Sequence, residues 1–424
     1  MNNKILLKGH FHFIGIGGIG MSAIALALFK KGYSISGSDL INNKQINELK
    51  KLGVLIFKNQ LENNISFIVS KFKNETLNIV ISSAIKTDNA ELKYCLKNNF
   101  PIRHRSEILA LIMNSYYSLA ISGSHGKTST STFLSTILDL CTKNCSSIIG
   151  GIVPIYKSNS HIDNTKYLVA EIDESDGTTY HYKPDIGIIN NIDFDHCDYY
   201  SNINELLLAF KAFASNSKKI LINYDCKITR KNFDSRYRWS NKEFKNITYS
   251  LIPKIINKYN TIGNYYENGN LIETLNIPIP GLHNLSNITA AIGASRMLGI
   301  NIKRIKNNLK FLKLPNKRFE FRGEFNQRKI YDDYAHHPSE IKATIELARL
   351  FIEDNTHADK ENRSRLIVIF QPHRYTRVEQ FAKEFAKELA KADLILITKI
   401  FGAGEQNKNN INSKLIAKII YKKN

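Results

Sequence analysis

Ser122-Gly123-Ser124-His125-Gly126-Lys127-Thr128 is the stretch on which the fold turns. An apolar run at 117–121 precedes it and an amphipathic segment at 129–140 follows, so its glycines lie at a strand-to-helix junction. At such a junction backbone N–H groups cradle phosphates, a lysine reaches the β- and γ-phosphates, and a threonine hydroxyl can ligate Mg²⁺. The loop is a shortened relative of the Walker A pattern, with two residues between its glycines where that pattern has four. It predicts a nucleotide site made of Gly123, Ser124, His125, Gly126, Lys127, Thr128 and Ser129, in an α/β unit with a parallel sheet.

A P-loop needs a carboxylate from a neighbouring strand for its metal. The strand expected at 167–172 and its exit carry Glu171, Asp173, Glu174 and Asp176. Asp176 also reads as part of a solvated acidic loop. Glu171 does not, because it interrupts an apolar run where an unpaired charge is costly. The next strand, 186–190, leads to Asp193, Asp195 and His196, which makes His196 a candidate ligand for a second metal.

On the N-terminal side, Gly15, Gly17 and Gly20 fit GxGxxG between a strand at 11–16 and a helix at 21–31, and Asp39 follows the next strand, 33–37. Alone, this loop favours a dinucleotide such as NAD, with the acid on a ribose hydroxyl. On the C-terminal side, strands are expected at 329–331, 366–370 and 394–398. The pattern is therefore α/β, in three consecutive modules with mainly parallel sheets: a Rossmann-like module at 1–108, a central P-loop ATPase module at 109–314 and a Rossmann-like module at 315–424. The Lys- and Asn-rich region 227–280 has weak periodicity and is expected to form short strands and loops.

The bulk composition agrees. A chain of 424 residues with 43% hydrophobic residues forms two or three globular domains. No apolar run approaches the roughly 20 residues of a membrane span. The N-terminal stretch runs into glycines without a cleavage site. Membrane insertion is not expected, and a cytoplasmic location is. Cys95, Cys141, Cys145, Cys197 and Cys226 contain no CxxC pair, which speaks against a disulfide framework or zinc site. The net charge of +21 comes from lysines spread along the chain, not from a stripe. No nucleic-acid partner is expected, although a positive field helps to gather anionic nucleotides.

Taken together, the motifs resemble the Mur ligases of peptidoglycan synthesis. The resemblance rests on the run 13–22, on Ser36-Gly37-Ser38-Asp39, on the P-loop and on the acids at 171–176. It continues through His283-Asn284-Leu285-Ser286-Asn287, Lys317-Arg318-Phe319, Asp332-Asp333-Tyr334-Ala335-His336-His337-Pro338 and Gln371-Pro372-His373-Arg374-Tyr375-Thr376-Arg377. It implies an ATP-dependent carboxylate–amine ligase, most similar to the member that adds the first amino acid, with UDP-N-acetylmuramate, L-alanine and ATP as substrates and two Mg²⁺ ions. In that family the first loop holds the UDP-sugar, which the resemblance transfers to Gly15, Gly17, Gly18, Gly20 and Asp39. It implies that Lys127 holds the γ-phosphate, that Thr128 and Glu171 bind one Mg²⁺, and that His196 binds the other. Asn284, Asn287, Arg318 and Asp333 match ATP contacts, with Arg318 also counted among the catalytic groups. His337, His373, Arg374 and Arg377 match the region that holds L-alanine and the substrate's carboxylate.

Two departures accompany the match. Asn59-Gln60 stand where family members carry a Gly-His pair, and after Gly402-Ala403-Gly404-Glu405 only one helix-like segment, 411–421, follows, so a shortened third module is expected. Three other readings compete. A nucleotide-sugar dehydrogenase leaves the P-loop without a role. The relative that recycles a tripeptide carries a cysteine in its first loop, whereas this loop reads Gly15-Ile16-Gly17-Gly18. A non-catalytic binder has no need of Lys127, Glu171 and His196.

Overall fold

Short apolar segments alternating with amphipathic ones build the predicted parallel sheets. The computed structural model describes residues 8–142, 144–352 and 364–421. They divide into two compact units, one lying within 1–122, 134–188 and 209–220, the other within 123–133, 189–208 and 221–424.

The first unit opens with β1 (His10–Ile14), α1 (Ile19–Lys30), β2 (Ser34–Ser38), α2 (Lys44–Lys51), β3 (Leu55–Phe57), α3 (Glu62–Lys71), β4 (Leu77–Ile81), α4 (Ala90–Lys97), β5 (Ile102–His104) and α5 (Arg105–Met113). Its five strands are parallel in the order β3-β2-β1-β4-β5. β1 is buried throughout, including His10 and His12. Such buried rings need partners, and they find them in hydroxyls of β2: His10 Nε2 lies 2.6 Å from Ser36 Oγ and His12 Nδ1 2.8 Å from the same oxygen. The buried Glu91 accepts from Ser38 Oγ and, at 2.6 Å, from Asn64 Nδ2.

A second group of strands in this unit comprises β6 (Tyr117–Ser122), β7 (Ser146–Val153), β8 (Ser158–His161), β9 (Tyr167–Glu171) and β10 (Ile186–Ile189), in the order β10-β6-β9-β7-β8. α1 is apolar around its circumference and buried from Met21 to Leu28, as befits a helix covered on more than one side. Asn159, at β8, donates to the Ile19 carbonyl (2.8 Å) and so pins the start of α1.

α6 (Lys127–Thr142) follows the P-loop, and α7 (Ile203–Asn216) leads to β11 (Lys219–Asn223). The second unit continues with α8 (Lys227–Asn232), β12 (Tyr237–Ser240), β13 (Tyr249–Ile256), β14 (Thr261–Glu267), β15 (Asn270–Ile277), α9 (Leu282–Met297) and α10 (Ile302–Asn308). Here the structure corrects the reading of 227–280 as short strands and loops: β13, β14 and β15 form an antiparallel meander with strands of 7 to 8 residues. Alternate positions, among them Tyr249, Leu251, Tyr265, Leu275 and Ile277, are buried. The polar Lys- and Asn-rich positions between them hid that period of two.

The end of the chain forms the hairpin β16 (Glu320–Phe325) and β17 (Arg328–Asp332), then α11 (Pro338–Leu350), β18 (Ile367–Phe370), α12 (Tyr375–Leu389), β19 (Leu394–Ile397) and α13 (Lys414–Tyr421). β18, α12 and β19 make a parallel β–α–β step. Ile341, Ile345, Phe370, Val378, Phe385, Leu389 and Ile416 form a core of their own there, so α13 is packed in and not a tail. Among the described residues no helix is long and apolar enough to cross a membrane.

Candidate active site

The first glycine loop is held by its own neighbours. Gly15 and Ile16 donate to the Ser38 carbonyl at 2.8 and 3.1 Å, which ties the loop to the end of β2. Gly15 has φ +80°, a left-handed value that glycine adopts without strain. Asp39 accepts from the Gly17 N–H (2.8 Å) and from the Ile41 N–H (3.0 Å), so its carboxylate shapes the loop directly. A Cβ on Gly18 would make only ordinary van der Waals contacts, the nearest with the Gly15 carbonyl oxygen at 3.5 Å, while a Cβ on Gly20 would stand 3.3 Å from Arg105 Nη1.

Sequence reading did not single out Arg105. Its guanidinium contacts Asp173 (2.8 Å) and Asp176 (3.2 Å), and Asp176 also accepts from Ser83 Oγ (2.8 Å). Burial alone would loosen the Arg105 proton, but the two aspartates outweigh it and hold the group charged. The available signal was its place at the first residue of a helix directly after a strand. Asn59, exposed, and Gln60, half-buried, bond to other asparagines: Asn64 donates to Asn59 and Asn89 to Gln60. Glu171, at the end of β9, accepts from the Gly150 N–H at 2.8 Å.

The second glycine loop, in the other unit, is held by asparagines from elsewhere in the chain. Ser124 N–H donates to the Asn191 carbonyl (3.1 Å) and His125 N–H to Asn191 Oδ1 (2.8 Å). Gly123 and Gly126 have φ +138° and +78°, and a Cβ on Gly126 would lie 2.5 Å from Asn287 Oδ1. Lys127 Nζ donates to the Gly123 carbonyl at 2.7 Å, which lays the ammonium along the loop at the start of α6.

Beside this loop lies a cavity of about 380 Å³ lined by His125, Asn284, Asn287, Arg318, Asp333 and Glu340 among others. The P-loop, the start of α9, the segment at 318–319 and the start of α11 thus face one space. Asp333 also has a scaffolding task, accepting from Phe319 N–H (2.7 Å) and Ala335 N–H (2.8 Å). Burial raises its pKa above the usual carboxylate value.

Charged groups converge on the same wall. His125 lies 3.3 Å from Asp193 and 3.3 Å from Glu340. Burial would lower its pKa, but hydrogen bonds to the two carboxylates dominate and raise it to about 9, so the ring is an imidazolium at neutral pH. Glu340 also lies 3.9 Å from Arg318. Its signal in the sequence was modest, an acid in the first turn of α11.

His337 caps α11, is 3% exposed, and lies with Nε2 3.2 Å from the Phe194 carbonyl. Burial, then the nearby His125, lowers its pKa to about 4. Arg377 is buried and donates three hydrogen bonds to Asp195 at 2.8 to 3.1 Å, while Nη1 lies 3.1 Å from His373 Nδ1. The sequence reading assigned Arg377 to a substrate carboxylate; in the structure a protein carboxylate takes that place. Arg374 pairs with Asp198 and lies 3.5 Å from Glu405. His196 has φ 55°, an unusual conformation for a non-glycine residue, and its N–H donates to Asp195 Oδ1 at 2.8 Å.

A P-loop cavity faced by Arg318, Asp333 and the first turn of α11 suits an ATP-dependent ligase. Comparison with known families supports the class along almost the whole chain: residues 10–117 match the Mur ligase family catalytic domain, 121–295 the Mur ligase middle domain, and 317–424 the Mur ligase glutamate ligase domain. The chain belongs to the Mur ligase family. It is 69% identical over 424 residues to the UDP-N-acetylmuramate–L-alanine ligase of Prochlorococcus marinus subsp. pastoris, covering all of this chain and 90% of that one. A UDP-N-acetylmuramate–L-alanine ligase of Synechococcus sp. strain CC9311 is 40% identical, over 99% of this chain and 87% of the relative. Among solved structures, a UDP-N-acetylmuramate–alanine ligase of Thermotoga maritima superposes with a TM-score of 0.80 at 26% identity, covering 98% of this chain and 88% of that one. A murein peptide ligase of Psychrobacter arcticus shares the fold, with a TM-score of 0.71 at 22% identity over 98% of this chain and 88% of that one.

Proposed function

We propose that this chain joins L-alanine to UDP-N-acetylmuramate at the cost of ATP, in the cytoplasm, as a step of peptidoglycan synthesis that serves cell shape and division. The observation that carries the reading is the 69% identity to a ligase of that name over all 424 residues. The sugar carboxylate attacks the γ-phosphorus of ATP, giving an acyl phosphate and ADP. The alanine amine then attacks the acyl carbon, the amide forms, and phosphate leaves.

Residue roles follow the resemblance and remain part of the proposal, as does the division into domains at 1–108, 109–314 and 315–424. Gly15, Gly17, Gly18 and Gly20 bring backbone N–H groups to the UDP-sugar, and Asp39 keeps the loop in shape for it. Gly123 to Ser129 hold the ATP phosphates, with Lys127 on the γ-phosphoryl group. Asn284, Asn287, Arg318 and Asp333 bind the nucleotide. His337, His373 and Arg374 face the amino acid, and Arg377 joins them by exchanging Asp195 for a substrate carboxylate.

Thr128 and Glu171 offer oxygen donors suited to a hard cation such as Mg²⁺. His196 is held for a second ion by a left-handed backbone that Asp195 and two tyrosine N–H groups pin in place. Bound Mg²⁺ offsets the charge that develops on the transferred phosphoryl group.

The test is phosphate release from ATP with UDP-N-acetylmuramate, alone and with L-alanine, glycine, L-serine or a tripeptide. The reading expects fastest release with L-alanine. Release that favours the tripeptide would replace it with a recycling ligase, and no release with any acceptor would leave a binding protein.

A further inference from the structure

We propose that His125, Asp193 and His337 form a binding site for a divalent transition metal ion of the zinc type, built from residues other than those assigned to Mg²⁺. Their ligand atoms all lie within 4.8 Å of one another. His125 Nε2 is 3.3 Å from Asp193 Oδ2, and His337 Nδ1 is 3.7 Å from the same oxygen. In a tetrahedral site with metal–ligand bonds of about 2.0–2.2 Å, neighbouring ligand atoms stand roughly 3.3–3.5 Å apart. The three donors are therefore close to coordinating distance already.

The anchoring of the two rings points more strongly the same way. A histidine that ligates a metal through one nitrogen almost always gives its other N–H to a carboxylate or carbonyl, which fixes tautomer and orientation. His125 directs Nδ1 at Glu340 Oε1 (3.3 Å), and His337 directs Nε2 at the Phe194 carbonyl (3.2 Å). With those nitrogens carrying hydrogen, His125 Nε2 and His337 Nδ1 are the ones that converge on Asp193. The rings are also held by packing, since their centroids are 4.7 Å apart and Phe381 meets His337 edge-on at 4.9 Å. The Ser339 N–H reaches His337 Nδ1 only at 3.3 Å, a long bond that an ion would replace.

Two imidazoles and one carboxylate select a zinc-type ion over Mg²⁺, which prefers an all-oxygen shell. On binding, the Nε2 proton of His125 leaves to solvent and the Nδ1 proton stays on Glu340's side. The ion ties the P-loop, through His125, to the N-cap of α11, His337.

Zn²⁺ binding to the full chain, without nucleotide and in excess Mg²⁺, tests this by calorimetry and needs no turnover, so its outcome is independent of the ligase assay. One equivalent is expected to bind tightly to the wild type. His125→Gln and Asp193→Asn are each expected to weaken that equivalent at least tenfold. As a check that requires no variant, Co²⁺ bound to the wild type should shift two exchangeable imidazole N–H resonances, one from each ring. Wild-type affinity in both variants, displacement of the ion by Mg²⁺, or Co²⁺ spectra without shifted imidazole N–H signals would each overturn the site.

Discussion

The two glycine loops follow the same local rule and are held in opposite ways. In the first, the restraint is local: Asp39 reaches back to Gly17, and Ser38 takes the N–H groups of Gly15 and Ile16. In the second, restraint comes from afar: Asn191 takes the Ser124 and His125 N–H groups, and Asn287 stands where a Cβ on Gly126 would go. A loop held by its own strand can serve one rigid binding task. A loop whose His125 answers to Glu340, 215 positions further along, feels the state of the later module. The motif alone does not show this difference; the partners do.

Breaking the second loop should cost most. Lys127→Ala is expected to lower turnover by about 100-fold or more, because a charge aimed at the transferring phosphoryl group is lost. UDP-N-acetylmuramate affinity, measured by calorimetry, should change little. Near-normal turnover would remove the P-loop assignment.

Gly126→Ala should destabilise the protein by about 1–3 kcal/mol in urea unfolding, since it adds strain at φ +78° to a contact of 2.5 Å. An unaltered midpoint would show that Asn287 moves aside freely.

Arg377→Lys should raise the KM for L-alanine about tenfold, as lysine cannot reproduce a planar two-bond grip. The KM for ATP should stay within about twofold on the same ground. If the ATP dependence moves as much, Arg377 acts on the phosphate side through Asp195.

The effect of pH is smaller and its sign is fixed by His125. Its folded pKa of about 9 lies above the ordinary 6.5, so its pairing with Asp193 and Glu340 stabilises fully below 6.5 and fades as pH rises through about 9. The gap in urea midpoint between wild type and His125→Gln should therefore shrink between pH 6.5 and 9.5. A gap that widens over that range would contradict the imidazolium.

Least of all should change in Gly18→Ala, within about 0.5 kcal/mol, because nothing crowds that position. A large loss there would mean that the first loop is as tightly confined as the second.

What the sequence made legible was local. A glycine loop between an apolar run and an amphipathic helix is written in adjacent residues, so the P-loop and the GxGxxG loop stood out. The residues proposed to contact the nucleotide, at 284, 287, 318 and 333, stood out because their motifs are local too, and they line one cavity. The pairing of Arg377 with Asp195 and of His125 with Glu340 depends on the tertiary approach of segments far apart, which no spacing encodes. The meander of β13 to β15 was missed for another reason. Its buried period of two is carried by Tyr249, Leu251, Tyr265 and Leu275, and the biased polar residues between them blurred it.

The most direct test of the ligase account follows one oxygen atom. UDP-N-acetylmuramate labelled with ¹⁸O in its carboxylate is incubated with the protein, ATP, Mg²⁺ and L-alanine, and the phosphate released is analysed by mass spectrometry. Attack of the carboxylate on the γ-phosphorus, followed by cleavage of the acyl carbon–oxygen bond, predicts one ¹⁸O atom in each phosphate. Unlabelled phosphate formed alongside the amide product would contradict the acyl phosphate and the mechanism built on it.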